Sequence, residues 1–212
     1  MQTVENRFIW VVSIIYVVGI AGFLIPELNP LFLKLTPWNL IAAFVIAWIF
    51  HKKWELSHLL TILGLGVAGF FVEFIGVKTG VIFGSYAYGS TLGAKWQGTP
   101  YLIGLNWAAL ILYTSSIFAG AVKSNLGRSI LGAAVMTLYD FFMEPVAMKY
   151  DFWDWKDGII PIQNYVAWFL IALVFHLILN AIAKPIRNRM AASLFYIQFG
   201  FFLILFLANK FL

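Results

Sequence analysis

The chain has 212 residues, of which 62% are hydrophobic, 18% aromatic and only 11% charged. A soluble domain carries roughly twice that charged fraction, so a water-soluble globule is excluded and most of the length must be spent in membrane-spanning helices. There is no cysteine, which removes disulfides, thiol catalysis and iron–sulfur ligation, and the net charge of +5 is spread between apolar segments as a topology signal, not gathered into a nucleic-acid-binding face.

Apolar segments at 8–25, 37–50, 58–76, 100–122, 128–148, 165–183 and 190–210 predict an all-α, polytopic membrane bundle of about seven transmembrane helices in a single domain, 1–212. The first segment follows only Arg7 and lacks a small-residue cleavage site, so it is predicted to be a retained helix and not a removed signal. The second is short for a span of about 20 residues, which implies tilt or an earlier start. Pro26, Pro30, Pro37 and Pro185 are read as marking segment ends, and Pro100 and Pro161 as opening the fourth and sixth segments, because a missing N–H costs least there.

Alternating loops divide the cations into two groups. Arg7, Lys52, Lys53, Lys123, Arg128, Lys184, Arg187 and Arg189 share the N-terminal side, eight of the 14 Lys and Arg residues. Lys34, Lys78, Lys95, Lys149, Lys156 and Lys210 fall on the other. The larger group sits in short turns, where positive charge sets orientation most strongly. The N-terminus is therefore predicted to be cytoplasmic, with a bacterial inner membrane as the expected location.

This topology gathers the polar residues. Glu73, Asp140 and Glu144 lie in the outer halves of the third and fifth segments, Asn106 and Trp107 open the fourth, and Asn164 with Tyr165 opens the sixth. The long connections 77–99 and 149–164 close over the same side. Asp140 and Glu144 stand four apart, one above the other on a helix face. An acidic residue at the centre of a spanning helix costs about 2.5–3.5 kcal/mol on insertion scales. Two readings account for such residues: carboxyls that tie helices together, or an acid/base site. In the second, burial and a neighbouring acid let one carboxyl keep its proton at neutral pH. Lys78 is close enough in sequence to pair with Glu73.

The run GVKTGVIFGSYAYG, 76–89, is too rich in glycine for a stable helix. It reads as a capping or re-entrant loop that carries Tyr86 and Tyr88, or as an ordinary interfacial loop with aromatic anchors. In DFWDWKDG, 151–158, the aspartates lack the spacing of a calcium loop. Trp153 and Trp155 suggest an interfacial segment, Asp157 a solvated loop, and Asp151 stays a candidate. His51 and His58 are placed at the interface and His176 in the inner half, with no metal-ligand spacing. Neither a metal nor a cofactor is expected.

Several functions fit a seven-helix chain. A retinal protein needs a mid-membrane lysine, and the last segment offers only Lys210 at its end. A prenyltransferase needs a second acidic cluster. A proton-coupled carrier needs polar residues toward both faces, and the inner half reads as poor in them. A pigment-binding scaffold needs no chemistry. Acid-catalysed chemistry on a lipid-soluble alkene uses the acids directly: a carboxylic acid protonates the double bond, and its conjugate base and aromatic rings stabilise the cation.

The stretches VEFIGVKTGVIFGSYAYG, LGAKWQGTPYLIGLNW and LYDFFMEPVAMKYDFWDWKDGIIPIQNYVAW resemble the carotenoid biosynthesis family of membrane carotenoid 1,2-hydratases (the CruF type) over about residues 70–170. The resemblance implies addition of water to the terminal 1,2 double bond of an acyclic ψ-end carotenoid drawn from the bilayer. Membrane lipids and water are then the other partners, and no nucleic acid, metal or cofactor is implied. Glu73 and Asp140 match the family's acidic positions, and Trp153 and Trp155 its W-x-W element. The expected catalytic set is Asp140 as general acid with Glu73 or Glu144 positioning water. The expected substrate-binding set is Tyr86, Tyr88, Asn106, Trp107, Asp151, Trp153, Trp155, Asn164 and Tyr165. A membrane lycopene cyclase, which starts with the same protonation, is the alternative.

Overall fold

A computed structural model describes residues 2–52, 55–183 and 185–211. Lys53 and Lys184, two of the cations used above for orientation, lie outside them. The helices are α1 (Gln2–Leu24), α2 (Asn29–Ile49), α3 (Leu56–Thr79), α4 (Tyr101–Phe118), α5 (Asn125–Lys149), α6 (Ile162–Ile182) and α7 (Arg189–Phe211). All seven are long and apolar enough to cross a membrane, and the molecule is an integral membrane protein with an all-α bundle. α4 is the most enclosed span, whereas α1 and α2 present most of their surface outward. α3 packs on α4, α5 on α6, and α7 against α1, α4 and α5.

The sequence reading needs correction at several points. α2 starts at Asn29, so Pro30 lies in its first turn while Pro37 sits inside the helix and ends nothing. Its span is therefore full length. Membrane helices accept an internal proline, whose missing N–H leaves the Leu33 carbonyl four residues back without its helical donor. α1 begins six residues before the expected start, and its Glu5 is buried against Lys52, 3.2 Å away. His51 and His58, expected at the interface, are both buried and paired, with Nε2 and Nδ1 3.2 Å apart.

The half of the bundle away from the long connections is also less apolar than expected. Arg128 of α5 donates from Nε to Asn180 Oδ1 of α6 at 3.1 Å and from Nη1 to the Val122 and Lys123 carbonyls. Asn180 Nδ2 reaches Ser129 Oγ at 3.0 Å. His176 lies 2.9 Å from Thr114 Oγ1 and 2.7 Å from the Ala172 carbonyl. These groups satisfy one another across α4, α5 and α6, as buried polar groups must.

Small residues let α3 and α4 approach closely. A Cβ on Gly66 would meet Gly104 O at 2.8 Å and Ala108 Cβ at 2.9 Å, while Gly64 has nothing within 4 Å. Close backbone approach of this kind is a main source of helix association in lipid. Gly66→Leu should therefore cost about 3 kcal/mol through overpacking, read as a lowered unfolding midpoint in detergent, whereas Gly64→Leu should leave it unchanged. Equal midpoints for the two variants would contradict this packing.

Candidate active site

Two helices carry the acids to one depth. Glu73 comes from the last third of α3, and Asp140 and Glu144 from one face of α5. α4 adds Trp107 and α6 adds Asn164 near their first turns. All five side chains are buried. Above them the two long connections build the lid that the sequence led one to expect, with a strand pairing that it did not suggest. Tyr86–Tyr88 (β1) pairs antiparallel with Trp153–Trp155 (β4), matching Tyr86 to Trp155 and Tyr88 to Trp153. A second ribbon, Lys95–Trp96 (β2) with Thr99–Pro100 (β3), closes the longer connection.

A strand alternates its faces, and that alternation explains the composition of the first ribbon. Ala87 and Asp154 face outward, while Tyr88, Trp153 and Trp155 are buried and Tyr86 half-buried. The two tryptophans are thus not interfacial anchors but part of the lid's inner face. The lid can lie so close because Gly76 has no side chain: a Cβ there would come within 2.7 Å of the Phe83 ring and 3.2 Å of the Tyr86 hydroxyl. The 76–79 stretch, expected in the loop, is the last turn of α3, and Gly80 ends it with a left-handed φ of 66°.

The inner face delivers its four polar hydrogens to two carboxyls. Tyr86 and Tyr88 donate their hydroxyls to Glu73 Oε2 at 2.5 and 2.8 Å, and Trp107 Nε1 donates to Oε1 at 3.0 Å. Trp153 and Trp155 donate their indole N–H groups to Glu144 Oε2 at 2.8 and 2.6 Å. Asn164 Nδ2 bridges Glu144 Oε1 at 3.1 Å and Asp140 Oδ2 at 2.8 Å. Glu73 and Glu144 therefore accept three bonds each. Asp140 accepts one, and its Oδ1 is buried with no hydrogen-bond partner among the described residues.

Among the described residues no cation pairs with these three acids. Lys78, expected as a possible partner of Glu73, instead lies over the Phe74 ring, 5.9 Å from its centroid. Burial, followed by the nearby Glu73 charge, holds the Tyr86 and Tyr88 hydroxyls well above the usual phenol range, so both stay protonated donors. A space of about 10 Å³ touches Glu73, Glu144, Tyr86, Tyr88 and Asn164, close to the least volume that holds one water. Beside it, sharing Ile103 and Trp153 as walls, is a larger, mainly apolar cavity of about 140 Å³ between α1, α2, α4, α5 and α7.

The other expected site residues make no hydrogen bond to the acids. Asn106 borders the larger cavity. Tyr165 packs its ring on Phe141, centroids 5.5 Å apart. Asp151 clasps the lid from outside: its Oδ2 accepts from Ser90 N at 2.8 Å and Ser90 Oγ at 2.6 Å. Trp168, which stacks on Trp107 at 4.4 Å, was missed, as were Tyr16, Asn39 and Gln198 at the larger cavity. The only sequence signal for those last three was a lone polar residue in an apolar helix.

The carotenoid biosynthesis protein family matches residues 35–212. A bisanhydrobacterioruberin hydratase from Haloarcula japonica is 26% identical over 119 residues, which cover 52% of this chain and 41% of that protein. The chain thus spans about two fifths of the length of the curated relative that it matches. No solved structure matches it.

The lid clasp carries a pH dependence. The Ser90 hydroxyl, and then the Ser90 N–H, hold the Asp151 carboxyl below the usual carboxylate range. A depressed folded value means that the clasp stabilises the lid above the free carboxyl's value near pH 4 and is lost as pH falls through the lower, folded one. Hydrogen exchange at Ser90, corrected for its intrinsic rate, should therefore rise at low pH. Asp151→Ala should raise it by about fivefold at neutral pH, the equivalent of about 1 kcal/mol for an exposed clasp. Unchanged exchange in Asp151→Ala would contradict this role.

Proposed function

The chain belongs to the carotenoid biosynthesis protein family, and from that premise we propose that it is a carotenoid hydratase. It adds water to the terminal 1,2 double bond of an acyclic ψ-end carotenoid that arrives from the bilayer. The observation that carries this reading is the buried, unpartnered Oδ1 of Asp140 beside two carboxyls with three donors apiece. Six neutral donors suit Glu73 and Glu144 as acceptors, and Asp140 is left to hold a transferable proton. The proposed setting is a bacterial inner membrane with a cytoplasmic N-terminus.

The steps balance without a cofactor. Asp140 gives its proton to C2 of the alkene, and the π pair forms the new C–H bond, leaving a tertiary cation at C1. The carboxylates and the Trp153 ring stabilise that cation electrostatically in a site closed to bulk water. A water in the small space attacks C1 through oxygen and loses a proton to Glu144 or Glu73. The proton then returns to Asp140, a short path from Glu144 because Asn164 holds both carboxyls at one amide. The product is a tertiary alcohol, and the acids end as they began.

Expression in hosts that accumulate lycopene or γ-carotene, with mass spectrometry of the pigments, tests the reading. The expected product is heavier by one water. A product of unchanged mass with a cyclised end, or unaltered pigment from folded protein, would contradict it. Asp140→Asn should lower turnover by about 10³-fold, the scale of a lost general acid. Wild-type activity in Asp140→Asn, Glu73→Gln and Glu144→Gln alike would sink the assignment.

A further inference from the structure

The larger cavity carries polar groups that an alkene terminus has no use for. Tyr16 of α1, Asn39 of α2 and Gln198 of α7 meet at its wall. The Tyr16 hydroxyl oxygen accepts from Asn39 Nδ2 at 2.9 Å and from Gln198 Nε2 at 2.8 Å. Each amide thus spends one end on the Tyr16 hydroxyl, and the other end of each, together with the Tyr16 O–H, stays available to a partner in the cavity. A ligand with a polar end can engage these groups, which an apolar one cannot.

The rest of the wall describes the ligand. It is mostly aliphatic and aromatic, so water alone would be poorly held in about 140 Å³. Ile15 of α1 and Leu35 of α2, both wall residues, are 51% and 46% exposed on the lipid-facing side. The ligand therefore comes from the bilayer and pairs an apolar body with a single oxygen. Ile103 and Trp153 separate this cavity from the acids.

We propose that this cavity is a second binding site, for the hydroxyl-bearing end of an apolar polyene. Tyr16 donates to the hydroxyl oxygen, and the Asn39 or Gln198 amide oxygen accepts the hydroxyl proton. That the chain is a polyene rests on the hydratase reading, whereas recognition of a hydroxyl rests on the Tyr16–Asn39–Gln198 group. The site tells a hydrated end from an unhydrated one, and it holds the former one wall away from the acids.

Binding to purified Asp140→Asn protein, followed by quenching of tryptophan fluorescence, tests this without turnover. The probes are lycopene and its 1-hydroxy derivative. The hydroxylated probe should bind at least tenfold more tightly. Tyr16→Phe and Gln198→Leu, each separately, should bring the ratio close to one while lycopene affinity holds; using both keeps the test valid if one fails to fold. Equal affinities in the parent protein, or a preference that survives either folded variant, would overturn the proposal. Preference for the hydroxylated probe in a protein that hydrates nothing would remove the proposed activity and leave this site standing.

Discussion

Two carboxyls in the membrane interior are satisfied entirely by neutral donors, and the rest of the structure is arranged to supply them. Glu73 takes two phenol hydroxyls and one indole; Glu144 takes two indoles and one amide. A buried carboxyl without partners is costly, and a paired lysine or arginine is the common remedy. A cation would also lock the acids in place and oppose a cationic intermediate. Phenol, indole and amide donors satisfy the oxygens without bringing in a positive charge, which suits the proposed carbocation chemistry.

This requirement explains features that otherwise look unrelated. A three-residue ribbon is too short to be stable alone, yet its alternation places four donors on one face, and the bonds to Glu73 and Glu144 anchor it to the bundle. Gly76 has no side chain because the ribbon and Phe83 lie directly against it. Asp151 and Ser90 fasten the outer edge, supported by the Gly89 N–H to Phe152 O bond at 3.0 Å. Trp107 is both a donor to Glu73 and the stacking partner of Trp168, so α3, α4 and α6 are brought into register at the depth of the acids.

Much of this was legible in the residues. Hydropathy located seven spans, because the bilayer fixes helix length and forbids bare backbone. Topology then placed Glu73, Asp140, Glu144 and Asn164 in the same half of the bundle, where the structure brings them together. The lid's strand pairing was not legible: runs such as Tyr-Ala-Tyr and Trp-Asp-Trp are too short for a period-2 signal and resemble the aromatic belt of any membrane protein. Pro37 misled because proline marks helix ends in water but is tolerated inside a membrane helix. The His51–His58 pair and the Tyr16–Asn39–Gln198 group escaped because they join separate helices, in the latter case across 182 residues between Tyr16 and Gln198. Single polar residues in apolar helices were the available sign.

In the proposed reaction a carboxyl proton and the hydroxyl of one water are added across the terminal double bond. Reaction of the purified protein with an acyclic carotenoid in heavy water, and separately in water labelled with heavy oxygen, tests it directly. The proposed reaction predicts one carbon-bound deuterium on C2 from the first solvent and one labelled oxygen on C1 from the second. Oxygen label without carbon-bound deuterium would contradict alkene protonation, and deuterium without oxygen would mean that the cation is captured by something other than water.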